Sequence, residues 1–212
     1  MDYLPSLRED YIKGGLLEKD VLTDPFQQFH RWFEDAVSAR QIEPNAMTLA
    51  TVDGDGQPHA RIVLLKNLDA RGFVFFTNYQ SDKAQNLAVN PRGALVFWWS
   101  SLERQVRLEG QIEKISPQES DDYFYSRPLG SQLGAWASPQ SQIIDSRQVL
   151  DEGLRALEEK YQDQKVPRPE HWGGFRLIPA RFEFWQGRSN RLHDRLCYTP
   201  DNQGWQIQRL AP

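Results

Sequence analysis

Apolar residues recur along this chain with two distinct periods. From Asp24 the order is helical: Phe26, Phe29, Phe33, Ala36 and Val37 fall on one face of a helix reaching about residue 40. Asp24 stands as its N-cap, Pro25 takes the first helical position, and Gln27 is placed to reach back as in a capping box. From Asn45 the period shortens to that of strands. Ala46 to Val52 runs into Asp53-Gly54-Asp55-Gly56, a turn signal because glycine tolerates positive φ, and His59 to Lys66 is the returning strand. Gly72 to Thr77 and Gly93 to Ser100 are short apolar runs rich in β-branched and aromatic residues, the composition of strands buried on both faces. Between them Ser81 to Asn90 reads as a short helix stopped by Asn90-Pro91. Arg104 to Ile115 alternates, with Val106, Leu108 and Ile112 on one side and Gln105, Arg107, Glu109 and Gln111 on the other, as in a half-buried antiparallel strand.

Pro117 to Arg127 and Ser146 to Tyr161 read as helices, the second with Val149, Leu150, Gly153, Leu154, Leu157 and Tyr161 on one stripe. The intervening PLGSQLGAWASPQSQ is too rich in Gly, Ser and Pro to assign. Gly173 to Ile178, Arg181 to Gln186, Arg195 to Thr199 and Trp205 to Leu210 are further strands. About eight short strands with few helices between them favour an antiparallel barrel with flanking helices over a βαβ fold. Residues 1–19 are polar, carry Gly14 and Gly15, and lack a core-facing pattern, so they form an arm or lid ahead of a single domain over residues 20–212.

Composition narrows the function classes. With 25 Lys plus Arg against 29 Asp plus Glu, the net charge of −4 argues against a general nucleic-acid binder. Mean hydropathy is low at −0.66. Aromatics nevertheless reach 12%, a content foreign to disordered chains. No apolar run approaches the ~20 residues of a membrane helix, and MDYLPSLRED lacks the basic-then-apolar order of a signal peptide, so a cytoplasmic protein is expected. Cys197 is the single cysteine, which excludes an intramolecular disulfide and a multi-thiolate metal site. His30, His59, His171 and His193 show no ligand spacing, so no metal is expected. Neither a G-x-G-x-x-G fingerprint nor a P-loop is present.

Three basic segments carry candidate chemistry. In Arg61-Ile62-Val63-Leu64-Leu65-Lys66 two cations bracket an apolar strand, and their odd separation puts them on opposite faces unless a bulge intervenes; alone, this is equally a strand with solvated basic ends. Tyr123, Arg127 and Ser131 stand at i, i+4 and i+8, so a phenol, a guanidinium and a hydroxyl would share one helix face as a phosphate cradle. Pro128 interrupts that helix, so Ser131 would come from a following turn; the competing reading is a packed helix whose last turn carries a cation that suits the dipole. In the third segment Arg191, His193 and Arg195 alternate as on one strand face, a concentration of donors that calls for an anion, and the flanking arginines should lower the histidine pKa. Several basic clusters, many aromatics and no acid pair, nucleophile triad or metal cage suit phosphorylated planar ligands, with a cofactor supplying the difficult chemistry.

The segments RIVLLK, FFTNYQSDKA, ERQVRLEG, YFYSRPLGSQLGAWASPQSQ and FWQGRSNRLHDR, with the terminal QRLAP, closely resemble the pyridoxine/pyridoxamine 5'-phosphate oxidase family, from about Leu7 to the last residue. The resemblance implies an FMN-binding antiparallel split β-barrel, a homodimer with FMN at the interface. It implies oxidation of pyridoxine 5'-phosphate and pyridoxamine 5'-phosphate to pyridoxal 5'-phosphate, with O2 reoxidising the flavin and yielding hydrogen peroxide. By motif, the FMN contacts would be Arg61, Ile62, Val63, Leu64, Leu65, Lys66, Phe76, Thr77, Lys83, Gln105, Gln140, Ser141, Trp185 and Arg195. Lys66, Tyr123, Arg127 and Ser131 would hold the substrate phosphate, and Arg191 and His193 would be the catalytic pair over the substrate ring, assisting proton removal. Arg8 and Tyr11 would lie over bound substrate as part of a lid. Ser81-Asp82-Lys83 departs from the family pattern, which has a basic residue in the middle; this acid should weaken FMN binding unless it turns outward. Competing readings are a related split-barrel flavoprotein using a nicotinamide or deazaflavin donor, and a carrier of pyridoxal phosphate or structural FMN.

Overall fold

The structure, a computed structural model, describes residues 3–7, 10–202 and 204–212. Its helices are α1 (Pro25–Ser38), α2 (Asp82–Val89), α3 (Pro117–Ser126), α4 (Leu129–Ala137) and α5 (Arg147–Lys160). Its strands are β1 (Ala46–Val52), β2 (Pro58–Leu64), β3 (Asn67–Asp69), β4 (Gly72–Asn78), β5 (Arg92–Trp99), β6 (Arg104–Lys114), β7 (Trp172–Gln186), β8 (Asp194–Asp201) and β9 (Gly204–Leu210). They order as β2-β1-β5-β6-β7-β4-β3, with β8 on β7 and β9 on β8. The ladders of β4 with β3 and β7, and of β8 with β7 and β9, are antiparallel.

The chain divides into two compact units, residues Met1–Leu49, Ala94–Gly110 and Pro179–Pro212, and residues Ala50–Gly93 with Gln111–Ile178. In the first, Asp24 caps α1 by accepting the Phe26 N–H at 2.8 Å. The buried neighbour Gln28, rather than Gln27, completes the entry, accepting the Leu22 N–H at 3.0 Å. Helix α1 buries Phe29, Trp32 and Ala36 and leaves Val37 exposed. Trp32 meets the Phe184 ring edge-on at 5.3 Å, and Phe29 meets Phe97 at 5.0 Å. Aromatic pairs of this kind add roughly 0.5–1.5 kcal/mol beyond area burial.

The second unit packs Phe124, Leu133, Tyr161, Val166 and Trp172 into one cluster, with Leu154 and Leu157 of α5 against it. Helix α5 itself buries no residue fully. Strand β4 is buried along nearly its whole length, as its continuous apolar run predicts. Strand β5 is not, because Trp98 is 46% exposed.

Three further expectations change. The Gly-rich stretch after Pro128 contains α4, because a proline before the first turn costs no helical hydrogen bond. The two strands expected around Pro179 are one 15-residue strand, β7. Its Trp172–Leu177 half pairs with β4 and its Phe182–Gln186 half with β8, so the missing N–H of Pro179 lies between the two ladders. Finally, β2 ends at Leu64, and Asn67–Asp69 forms a separate strand.

Trp32→Ala removes a fully buried indole and should cost about 3–5 kcal/mol, measured as a lower urea midpoint at unchanged m-value.

Candidate functional site

In the second unit, β2, β4, α2, α3 and the Gln140 loop surround a cavity of about 310 Å³. Its lining includes Ile62, Val63, Leu64, Lys66, Phe76, Thr77, Lys83, Tyr123, Arg127 and Gln140, together with Trp172. The Lys83 ammonium donates to Thr77 Oγ1 at 3.2 Å, Ser81 Oγ at 3.3 Å and Gln140 Oε1 at 2.8 Å. Burial and the Arg61 cation push its pKa down while Asp82 opposes them, so the charged lysine is held among neutral oxygens. Phe76 stacks on Tyr123 with centroids 3.9 Å apart and on Trp172 at 5.3 Å.

Arg127 follows α3 and lies over the Trp172 ring at 4.6 Å. Its Nη1 is buried without a hydrogen-bond partner, and burial lowers its pKa. None of the described residues lining the cavity is a carboxylate. A desolvated cation without an acceptor is costly, and an anion entering the cavity would remove that cost. Ser131, in the first turn of α4, lines an adjoining cavity of about 200 Å³ with Arg127 and Gln140. The helix, rather than a turn after Pro128, therefore presents this hydroxyl.

The other expected groups of this unit are arranged differently. Arg61 donates to Thr51 Oγ1 at 2.7 Å, and Leu65 is buried. Lys66 follows the end of β2, so strand alternation no longer dictates which way it faces; it lines the cavity, and its N–H donates to Val74 O at 2.9 Å. Ser141, at φ 70, accepts the Asp82 N–H at 3.3 Å and thereby caps α2. The Asp82 side chain is exposed and is absent from the cavity lining.

In the first unit, the period of β7 sorts its side chains. Phe182 and Phe184 join the core, whereas Arg181, Glu183 and Trp185 share the opposite face. Trp185 pairs with Arg195 across the ladder. Arg195 donates through Nε to Glu183 Oε1 and through Nη1 to Ala211 O, both at 2.8 Å. Glu183 is 2% exposed, and Arg107 and Arg181 also lie 3.5 and 3.6 Å from its Oε2.

Arg191, His193 and Arg195 do not share a strand face. Ser189–Arg191 is a tight turn, and β8 begins only at Asp194. Asn190 and Arg191 both adopt left-handed backbone, φ 57 and 62, a strain of order 1–3 kcal/mol per residue. His193 lies against Trp185 at 4.6 Å, and Tyr11 approaches both rings at 5.7 Å. The Arg188 backbone N–H donates to His193 Nδ1 at 3.1 Å, so the neutral ring carries its proton on Nε2. Burial first and the Arg191 cation second hold its pKa below 6.5. The expected direction is met, with burial as the larger cause. Gln105 lies near the start of β6, half-buried. Arg8 lies outside the described residues.

Comparison with known proteins bears on both clusters. Residues 33–183 match the family model described as pyridoxamine 5'-phosphate oxidase, and residues 172–212 match the pyridoxine 5'-phosphate oxidase C-terminal dimerisation region. The chain belongs to the pyridoxamine 5'-phosphate oxidase family. Proteins named pyridoxine/pyridoxamine 5'-phosphate oxidase from Trichormus variabilis and Pseudomonas putida are 60% identical over 210 residues and 57% over 211. Each alignment covers 99% of this chain and 98% of the relative. The structure of PhzG from Burkholderia lata, solved with tetrahydrophenazine-1-carboxylic acid, superposes with TM-score 0.87 at 30% identity, covering 93% of this chain and 98% of that one. A pyridoxamine 5'-phosphate oxidase-related, FMN binding protein from Nostoc punctiforme shares the fold at TM-score 0.70 and 16% identity, covering 87% and 97%. The mainly β, antiparallel architecture expected from the sequence is the one this family adopts.

Sequence reasoning missed Trp172 and Glu183. The first follows His171 in what reads as a loop before a strand, and its stacking on Phe76 depends on a β4–β7 register that no local pattern encodes. The second has a legible signal, an acid between Phe182 and Phe184 in an apolar strand, which demands a buried cation.

An imidazole nitrogen titration of His193 should give a midpoint below 6.5, since burial and Arg191 both disfavour the imidazolium. Arg191→Met should raise it only part of the way, because the larger cause remains; a midpoint unmoved by that change would contradict the arrangement.

Proposed function

We propose that this protein is an FMN-dependent oxidase of pyridoxine 5'-phosphate and pyridoxamine 5'-phosphate, forming pyridoxal 5'-phosphate in the cytoplasm as a homodimer with FMN at the subunit interface. The observation that carries this reading is a cavity with no carboxylate among the described residues that line it, in which Lys83 and Arg127 are drawn out of water and Arg127 Nη1 has no acceptor among those residues. That donor set fits phosphate esters. Flavin, when bound, would accept a hydride from the substrate carbon and pass both electrons to O2, giving hydrogen peroxide; from the amine, water would then hydrolyse the resulting imine to release ammonia.

The remaining steps belong to this chain. Lys83, with Thr77 and Gln140 as its hydrogen-bonding frame, would hold the FMN phosphate. Arg61, Ser141, Gln105 and the 62–65 backbone are assigned to the same cofactor. Lys66, Tyr123, Arg127 and Ser131 would hold the substrate phosphate, and the stacked rings of Phe76, Tyr123 and Trp172 keep water from the guanidinium. Trp185 and Arg195 would face the flavin ring, Arg195 offering positive charge where electrons arrive. Its bonds to Glu183 and Ala211 pre-set its direction.

Arg191 and His193 would hold the vitamer ring. Because Nδ1 is already an acceptor, His193 offers Nε2–H to the substrate hydroxyl or amine and acts as a positioning donor in this state, not as the proton-removing base. Arginine remains protonated, so Arg191 orients through charge and hydrogen bonds. Tyr11 would cover the same region.

Anaerobic addition of pyridoxine 5'-phosphate to the yellow protein should bleach the flavin absorbance, and air should restore it with pyridoxal 5'-phosphate as product. Flavin that stays oxidised with this substrate but is reduced by NADPH would replace the proposal with a donor-dependent reductase, and flavin inert to both with a carrier. Lys83→Met should weaken FMN binding about tenfold or more, the scale of a lost charged hydrogen bond of about 1.5–3 kcal/mol. Arg191→Met should slow flavin reduction in stopped flow while leaving flavin content near that of the parent.

A further inference from the structure

Arg188 stands beside the buried Gly187 and makes contacts in two directions. Its backbone N–H donates to His193 Nδ1, as described, and its guanidinium Nη1 donates to Gly14 O at 3.1 Å, 3.6 Å from Asp194 Oδ2. The arm is shaped to receive it: a Cβ on Gly15 would lie 2.2 Å from Nη1. Around that contact the arm is fastened by carboxylates and one more arginine. The Leu16 N–H donates to Asp194 Oδ2 at 3.0 Å, and the Lys13 N–H donates to Glu103 Oε2 at 3.1 Å. Arg209 donates to Leu16 O and to both carboxylate oxygens of Glu18, each at 2.8 Å. Upstream of the clasp, Tyr11 rests on Trp185, on His193 and on the Gly187 backbone, where a Cβ would meet Tyr11 Cγ at 2.7 Å.

We propose that Arg188 is a positioning residue coupling the docked arm, residues 11–18, to the tautomer and orientation of His193. The turn after Arg188 is strained at Asn190 and Arg191; it is closed by the β7–β8 ladder at Gln186 and Asp194, and within it Leu192 N–H donates to Ser189 O at 3.2 Å. Between those ladder ends the strained turn takes its side-chain geometry in part from what it is tied to. With the guanidinium on Gly14 O, the backbone of residue 188 stays where its N–H meets Nδ1, and the ring proton stays on Nε2. With the arm released, that restraint and the Tyr11 contact are lost together, and the imidazole is free to exchange tautomers.

The consequence for turnover rests on the reading of His193 as a substrate-holding donor, whereas the coupling is a property of the protein without substrate. The test is therefore made twice. In the flavin-loaded protein labelled with nitrogen-15 at histidine, at alkaline pH, His193 should show a protonated Nε2 and an unprotonated Nδ1. Arg188→Ala should convert this to a mixture of tautomers. Gly15→Ala, which displaces the guanidinium without altering Arg188 or His193, should do the same, and Arg188→Lys should largely restore the parent pattern.

With pyridoxine 5'-phosphate, each alanine variant should raise KM about fivefold, the scale of one exposed charged contact, with flavin content unchanged. The double variant should be no worse than either single, since both break one link. An unchanged tautomer in both variants, or KM effects that multiply in the double variant, would overturn the coupling. Absence of turnover in the parent protein would instead refute the proposed activity, and the spectra would still decide the coupling.

Discussion

The pleat of β7 is the constraint from which the rest of the site geometry follows. A strand sends successive side chains to opposite faces, so a run of fifteen residues commits every one of them once its register is set. In the first unit, that register places Phe184 against the Trp32 and Tyr198 rings and Phe182 against those of Phe26 and Trp205, and leaves Arg181, Glu183 and Trp185 on the other face. Pairing with β8 then sets Arg195 opposite Trp185 and diagonal to Glu183, within reach of its carboxylate. In the second unit, pairing with β4 brings Trp172 onto Phe76, and the resulting stack supports Tyr123 and Arg127. A slip of one residue in either ladder would exchange core and site faces.

Electrostatics separates cations that hold the fold from cations that await a ligand. Arg176 is 3% exposed yet lies 2.8 Å from Glu119 Oε1 and 3.4 Å from Asp69 Oδ2, and Glu119 is held down to about 2 by that contact. Glu119 binds fewer protons folded than unfolded in this window. Its contribution to stability is therefore complete above pH 4.5 and fades as pH falls toward about 2. Arg195 also meets a carboxylate, Glu183, which fixes its direction without assigning it to the fold alone. Lys83 and Arg127 are also drawn out of water, but their protein partners are neutral oxygens and aromatic faces, which offset less of the desolvation. The difference is what supports the proposed anion site.

The left-handed residues fall where strands and helices stop serving packing. Ser141 turns the chain so that its hydroxyl meets the first N–H of α2, beside the Lys83 pocket. Asn190 and Arg191 bend the chain between β7 and β8, which keeps Arg191 exposed while His193 is drawn against Trp185. In both places local backbone cost is accepted where side chains must point away from the regular lattice of the sheet.

The sequence by itself determined the periodic elements, because their information is local. The face of α1, the alternation of β1 and β6 and the capping by Asp24 need only neighbours a few positions away. It also carried the family resemblance, and with it the identities of the residues assigned to the site. Tertiary structure decided what those identities do. That Lys66 follows the end of β2, that α4 forms from a Gly- and Ser-rich stretch, and that Pro179 sits inside one strand all depend on partners far away in sequence. The acid Asp82 is exposed because the N-terminal turn of α2 presents it to solvent while Lys83, one residue on, points inward. Charge at a position is legible from its residue type; its direction, burial and partner are set only when distant strands and helices close around it.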